Sequence, residues 1–152
     1  MANIQISDSY PPLIKADIAE LERKLGISFP FDYKNFLLAH NGGHPTPDSF
    51  SIKGEAEGSK SMIQGFFGIQ AGEYDNLFDT MQRYHSRVPA NFLPIAYDPG
   101  GNLICLSVAG EDMGKVYFWD HEEEAEEGEP PSYDNVYFVA DSFNDLLNSL
   151  TD

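Results

Sequence analysis

The 152 residues carry 25 Asp and Glu against 9 Lys and Arg, a net charge of −16, with 41% apolar content. That length accommodates one core of ordinary size, so a single domain over residues 1–152 is expected. So acidic a chain repels nucleic acid and anionic membranes and draws basic partners, although by composition alone the acid needs no role beyond solubility.

After a polar start, Tyr10, Pro11 and Pro12 lead into a predicted helix with Ile14, Ile18, Leu21 and Leu25 at helical spacing, ended by Gly26. A second helix follows Pro30, which suits a first-turn position; its stripe is Tyr33, Phe36, Leu37 and His40, and Asn41, Gly42 and Gly43 stop it. The short join makes the two helices packing neighbours. Residues 44–65 are rich in Gly, Pro and Ser, with one strand expected at 50–52 and no clear order over 53–61. Phe66, Phe67, Gly68 and Ile69 read as a short strand. Asp75 is placed to cap a third helix with Leu77, Met81 and Tyr84 on one face and Phe78 beside them, limited by Pro89.

Residues 92–120 read as the centre of the fold. Leu93, Pro94, Ile95 and Ala96 form a short apolar run, and Asp98, Pro99, Gly100, Gly101 and Asn102 supply a tight reversal. Residues 103–108 are apolar almost without break, so this strand is expected to be central and covered on both faces. A turn over 110–114 leads to Val116, Tyr117, Phe118 and Trp119, a third strand of one antiparallel meander. Residues 121–131 hold six glutamates and end in two prolines, which predicts an exposed loop. A strand at 135–140 and a helix capped by Asp141 or Ser142, with Phe143, Leu146, Leu147 and Leu150 on one stripe, close the chain. The predicted class is therefore α+β: a mainly antiparallel meander packed with N-terminal helices and closed by a C-terminal helix.

No apolar run approaches the roughly 18 residues of a membrane span, and the N-terminus lacks a signal-like segment, so a soluble cytoplasmic protein is expected. Cys105 stands alone inside the most apolar strand and reads as a small core residue. The charge is concentrated at one end. After Lys115 come 11 acidic residues and no Lys or Arg.

Tests for enzyme chemistry fail. There is no Gly-x-Ser-x-Gly, His-Glu-x-x-His or Cys-x-x-Cys, and residues 54–60, GEAEGSK, only superficially resemble a phosphate loop, with Lys after Ser and two glutamates that repel phosphate. His40 and His44 have metal-ligand spacing only on a helix, which Gly42 and Gly43 interrupt. His85 and His121 read as surface residues, and the glutamate run lacks the Asp/Asn/Gly pattern of a calcium loop. The turn at 98–102 could resemble an active-site or anion-binding turn, but its hairpin role accounts for every residue. No catalytic residue, cofactor or metal is expected.

In order along the chain, Ile18, Leu21 and the Leu25, Gly26 pair; FP..Y..FLLAHNGG at 29–43; FFGI at 66–69; LPIAYDPGGNLICL at 93–106; GKVYFWDHE at 114–122; and the closing SF..LL..L helix together make the chain resemble the SUKH superfamily. Phe29 departs from that family's usual aliphatic residue, and residues 53–61 match no pattern in it. The resemblance implies a non-enzymatic binding protein. Bacterial members act as cytoplasmic immunity proteins that neutralise a cognate toxin, often a nuclease, whereas fungal members suggest a regulatory scaffold for a cellular partner. The charge fits the first independently, because a nuclease face that attracts phosphate is basic. The expected contact surface is Asp120, Glu122, Glu123, Glu124, Glu126, Glu127 and Glu129, which steer, with the aromatics Tyr97, Trp119 and Tyr133 as anchors.

Overall fold

Helical spacing in the first half produces α1 (Lys15–Leu25) and α2 (Phe31–Ala39) in a computed structural model that describes residues 4–69 and 76–152. Gly26 ends α1 in the left-handed region (φ 68°), where a glycine costs least. Two stripe residues fall elsewhere than expected. Ile14 is 67% exposed, because the helix starts after it and its N–H donates to the Asp17 carboxylate at 2.9 Å. His40 lies past the end of α2 in extended backbone, its ring 5.6 Å from that of Phe36. Pro30 takes the extended position just before α2 rather than its first turn.

The strand expected at 50–52 is present one residue earlier, and the stretches around it read as polar start and loop contain three more. β1 (Gln5–Ser7) pairs antiparallel with β2 (His44–Thr46), and β3 (Ser49–Ser51) pairs with β4 (Lys60–Met62). Each is three residues long and mostly polar, too short for alternation to register. Residues 53–61 therefore join a hairpin, with Lys60 and Ser61 opposite Ser51 and Phe50. The Gly54 N–H donates to the Phe138 carbonyl at 2.8 Å, and a Cβ at Gly54 would stand 2.4 Å from the Phe138 nitrogen, so only glycine allows this approach.

The main sheet is an antiparallel meander in chain order: β5 (Gly65–Phe66), β6 (Phe92–Tyr97), β7 (Leu103–Ser107), β8 (Val116–Trp119) and β9 (Val136–Ala140). β7 is central and all five of its residues are buried, as its apolar run predicts. Cys105 within it is fully enclosed, and burial pushes its thiol up, away from any nucleophilic role. Pro94 sits in an interior strand where it can donate no ladder bond, and the register shifts there, between Pro94 and Ala96. β5 is shorter than the FFGI run because the Asn41 side chain takes over: it accepts from the Ile69 N–H at 2.7 Å and donates to the Ile69 and Pro11 carbonyls at 2.9 Å each.

α3 (Leu77–Tyr84) is capped by Asn76, whose side chain accepts from Phe78 and Asp79; Asp75 lies outside the described residues. α4 (Phe143–Ser149) is capped by Ser142, whose hydroxyl accepts from Asp145 at 3.0 Å. Phe143 brings α4 onto α2 and the sheet, with ring centroids 4.9 Å from Phe36, 5.1 Å from Tyr33 and 6.1 Å from Phe66. Each such pair adds about 0.5–1.5 kcal/mol beyond area burial, which fixes the helices over one end of the sheet.

A candidate protein-binding surface

The acidic segment starts where β8 ends, and its first residues are held by the sheet. The Asp120 N–H donates to the Asn135 carbonyl at 3.0 Å, and the Asn135 amide returns a bond to the Asp120 carbonyl at 2.9 Å. The Asp120 carboxylate accepts from the Glu122 N–H, opening a 3-10 turn at His121–Glu123. His121 ties this turn to the β6–β7 reversal: its N–H donates to the Asn102 side chain at 3.0 Å, and its Nε2 lies 2.7 Å from the Gly100 carbonyl. The reversal that looked purely structural thus also positions the acidic segment.

Two side chains from distant parts of the chain pin the next residues. Arg87, just past α3, makes a two-pronged contact with Glu124, Nε to Oε2 at 3.0 Å and Nη2 to Oε1 at 2.7 Å. Its guanidinium lies 4.6 Å from the Tyr84 ring centre and 5.8 Å from that of Trp119. The bond to Glu124 raises the Arg87 pKa, so the guanidinium stays charged. On the other side the Tyr137 hydroxyl donates to Glu123 at 2.7 Å; that bond, then burial, push the phenol up to about 12.

Glu122, Glu126, Glu127 and Glu129 remain exposed, and no ion pair or hydrogen bond to their carboxylates occurs among the described residues. They border or adjoin a cleft of about 850 Å³ lined by Ser86, Arg87 and residues 124–131. The 53–61 connection adds to this field. With Gly54 bonded to β9, the carboxylate oxygens of Glu55, Asp120 and Glu123 come within 4.8 Å of one another, a group that could hold a cation. What the surface offers chemically is concentrated negative charge on a segment anchored at residues 120–124, suited to lysine and arginine side chains of another protein.

The family model described as SMI1 / KNR4 family (SUKH-1) matches residues 12–149. The chain belongs to the SUKH-1 family. Over 160 aligned residues it is 31% identical to the SPbeta prophage-derived uncharacterized protein YokK of Bacillus subtilis (strain 168), covering 94% of this chain and 78% of that protein. A shorter match, 55% identical over 31 residues, links it to the uncharacterized protein YnaB of the same strain, covering 20% of this chain and 22% of that protein. The SUKH-1 motifs fall on structural joints: Asn41 of the Asn-Gly-Gly run ties down Ile69, and Asp98 and Asn102 close the β6–β7 reversal.

The expected contact residues do not all reach the surface of this SUKH-1 fold. Trp119 must be removed from the set: it is 0% exposed, enclosed between β7, β9 and Tyr84, so its indole cannot anchor a partner. Tyr97 lies in the same row across the sheet but two strands away, about 10 Å, half-buried against Phe67. Tyr133 is 58% exposed directly after the segment, with its hydroxyl on the Asn91 side chain at 2.6 Å and its ring edge-on to Phe92. Asp120, Glu123 and Glu124 are internally bonded, whereas Glu122, Glu126, Glu127 and Glu129 are available. Arg87, Tyr137 and Glu55 were missed, since each partner stands far off in sequence and no local pattern marks it.

Replacing Arg87 with Gln should release Glu124. The pair is partly exposed, so a stability loss of only about 1 kcal/mol is expected. The sharper readout is amide hydrogen exchange, faster at residues 121–127 with β6–β8 unchanged; equal exchange throughout would mean that Arg87 does not hold the segment.

Proposed function

We propose that this SUKH-1 protein is a cytoplasmic immunity protein, a single domain over residues 1–152 that neutralises a cognate toxin by covering its basic face, the toxin being a nuclease. The observation that carries the reading is the acidic segment itself. Residues 120–124 are held by Asn102, Asn135, Arg87 and Tyr137, while Glu122 among them and Glu126, Glu127 and Glu129 just beyond them stay unpaired. A loop kept only for solubility needs no such tethers. Pinning lowers the entropy lost on binding, and unpaired carboxylates raise the encounter rate with a basic protein. Tyr133 supplies the exposed aromatic beside them. In this reading neither nucleic acid nor membrane is a partner, since both are polyanionic surfaces, and no cofactor takes part. The prophage origin in the name of the Bacillus subtilis relative fits a gene carried with competitive cargo.

The test is co-expression with a toxin candidate encoded beside this gene, scored for survival and followed by association kinetics. Replacing Glu122, Glu126, Glu127 and Glu129 together by Gln leaves every tether in place. Association with the toxin should slow by about tenfold at low salt and lose much of its salt dependence, with a smaller change in dissociation. Kinetics unchanged in the Gln variant would remove the segment from the interface, and survival no better than without this protein would end the immunity reading.

A further inference from the structure

The α1–α2 pair presents a second surface whose chemistry is the reverse of the acidic segment. Lys15, Ile18, Ala19 and Glu22 on α1 face Phe31, Lys34, Asn35 and Leu38 on α2 across a groove of about 380 Å³. Each set has the i, i+3, i+4, i+7 spacing of one helix face, so the groove is about two turns, or 10 Å, long. Both helices already bury another face in the core, through Leu21 and through Tyr33, Phe36 and Leu37, with Ile18, itself 3% exposed, shared between that face and the groove. The groove is therefore an additional apolar surface. Phe31 at its edge is 79% exposed and Ile14, just ahead of Lys15, is 67% exposed, the two most exposed large hydrophobic side chains among the described residues.

Charge decides what fits. The Glu22 carboxylate is already engaged by the Lys34 ammonium at 3.2 Å and the Phe29 N–H at 2.7 Å, while no ion pair to Lys15 occurs among the described residues. The groove is thus net positive in a chain of net charge −16. Two copies meeting symmetrically through it would set Lys15 and Lys34 against their own kind, and α3 and α4 turn apolar residues such as Leu77, Phe143 and Leu146 into the core, leaving no free apolar helix to donate among the described residues.

We infer that the α1–α2 groove docks a short acidic amphipathic helix of a partner protein, with two apolar anchors two turns apart beside Phe31 and Leu38 and a carboxylate reaching Lys15, the lysine that Glu22 does not engage. This surface is independent of the acidic segment. In the immunity reading it contacts either a different protein or a separate acidic element of the toxin.

The test uses the full chain and a pool of peptides about 15 residues long, each with two apolar anchors at helical spacing, half flanked by Glu and half by Lys. Glu-flanked peptides should be retained, and Phe31→Ser should weaken retention about tenfold. Phe31 is exposed enough for that variant to fold. The Lys15→Glu/Lys34→Glu variant should reverse the preference to Lys-flanked peptides, and the Gln variant of the acidic segment should retain peptides normally, which separates this inference from the toxin proposal. Equal retention of both halves, or retention that survives Phe31→Ser, overturns it. So does a dimer in sedimentation that Phe31→Ser dissolves, which would assign the groove to a second copy, and so does flotation with phosphatidylserine vesicles, which would assign it to lipid.

Discussion

Trp119→Ala should be the most damaging single substitution in the sheet, lowering stability by about 3–5 kcal/mol. The indole is fully enclosed, with Leu103 and Val136 opposite it on the flanking strands and Tyr84 edge-on at 5.7 Å. Truncation leaves a cavity that an interior strand cannot close by moving, since β8 is paired on both sides. The indole N–H has no hydrogen-bond partner among the described residues, so the cost is one of volume and ring contacts. Trp119→Phe, which keeps a ring there, should therefore lose much less, about 1–2 kcal/mol. Urea titration gives the measurement: the midpoint should fall strongly in the alanine variant with the slope unchanged. The Arg87 guanidinium also lies over this ring, so the alanine variant should loosen residues 121–127 in hydrogen exchange. If binding of the toxin proposed as partner drops in that variant in proportion to the unfolded fraction, Trp119 acts through the fold. A loss of binding with stability intact would return it to the interface.

The contrast between Trp119 and Tyr133 shows where sequence pattern is informative and where it stops. The run Val116 to Trp119 marks a strand because β-branched and aromatic residues fill a pleated surface, and the apolar run over 103–108 marks the sheet centre because only a strand covered on both faces lacks polar alternation. Those patterns are local, and the structure follows them. Whether an aromatic at the end of a strand faces the core or a partner depends on what packs above it, here Tyr84 and Arg87 from a segment more than thirty residues earlier. Nothing within the VYFWD run encodes that. The same limit explains residues 53–61: their glycines and glutamates carry no hydrophobic period, and their order comes from one backbone bond to Phe138 and from the pairing of Lys60 and Ser61. Charge was legible as a quantity, but its division into tethered carboxylates (Asp120, Glu123, Glu124) and available ones (Glu122, Glu126, Glu127, Glu129) required Arg87 and Tyr137 in place.

Asp98→Ala should cost about 3 kcal/mol, because it strips four donors of their acceptor at once. One carboxylate oxygen accepts from the Gly100 N–H at 2.9 Å and the Asn102 N–H at 2.8 Å; the other accepts from the Ser61 hydroxyl at 2.9 Å and the Asn102 amide at 3.0 Å. The side chain is 7% exposed, so water replaces these bonds poorly. Asp98→Asn keeps one acceptor oxygen but sets a second NH2 group against the Asn102 amide, so it should fall between wild type and alanine. The effect should spread in two directions. Through Ser61 the β3–β4 hairpin loses its bond to the main reversal, and through Asn102 and Gly100 the reversal loosens its hold on His121 and the start of the acidic segment. Chemical denaturation should show the stability loss, and hydrogen exchange should quicken at 60–62 and at 120–124 as well as at the turn. Affinity for the toxin proposed as partner, measured where the variant is still folded, should weaken mainly through slower association if mobile carboxylates present a less focused field. Fast exchange confined to residues 98–102 would instead mean that the reversal and the acidic segment are mechanically independent, and the tethering argument would then rest on Arg87 and Tyr137 alone.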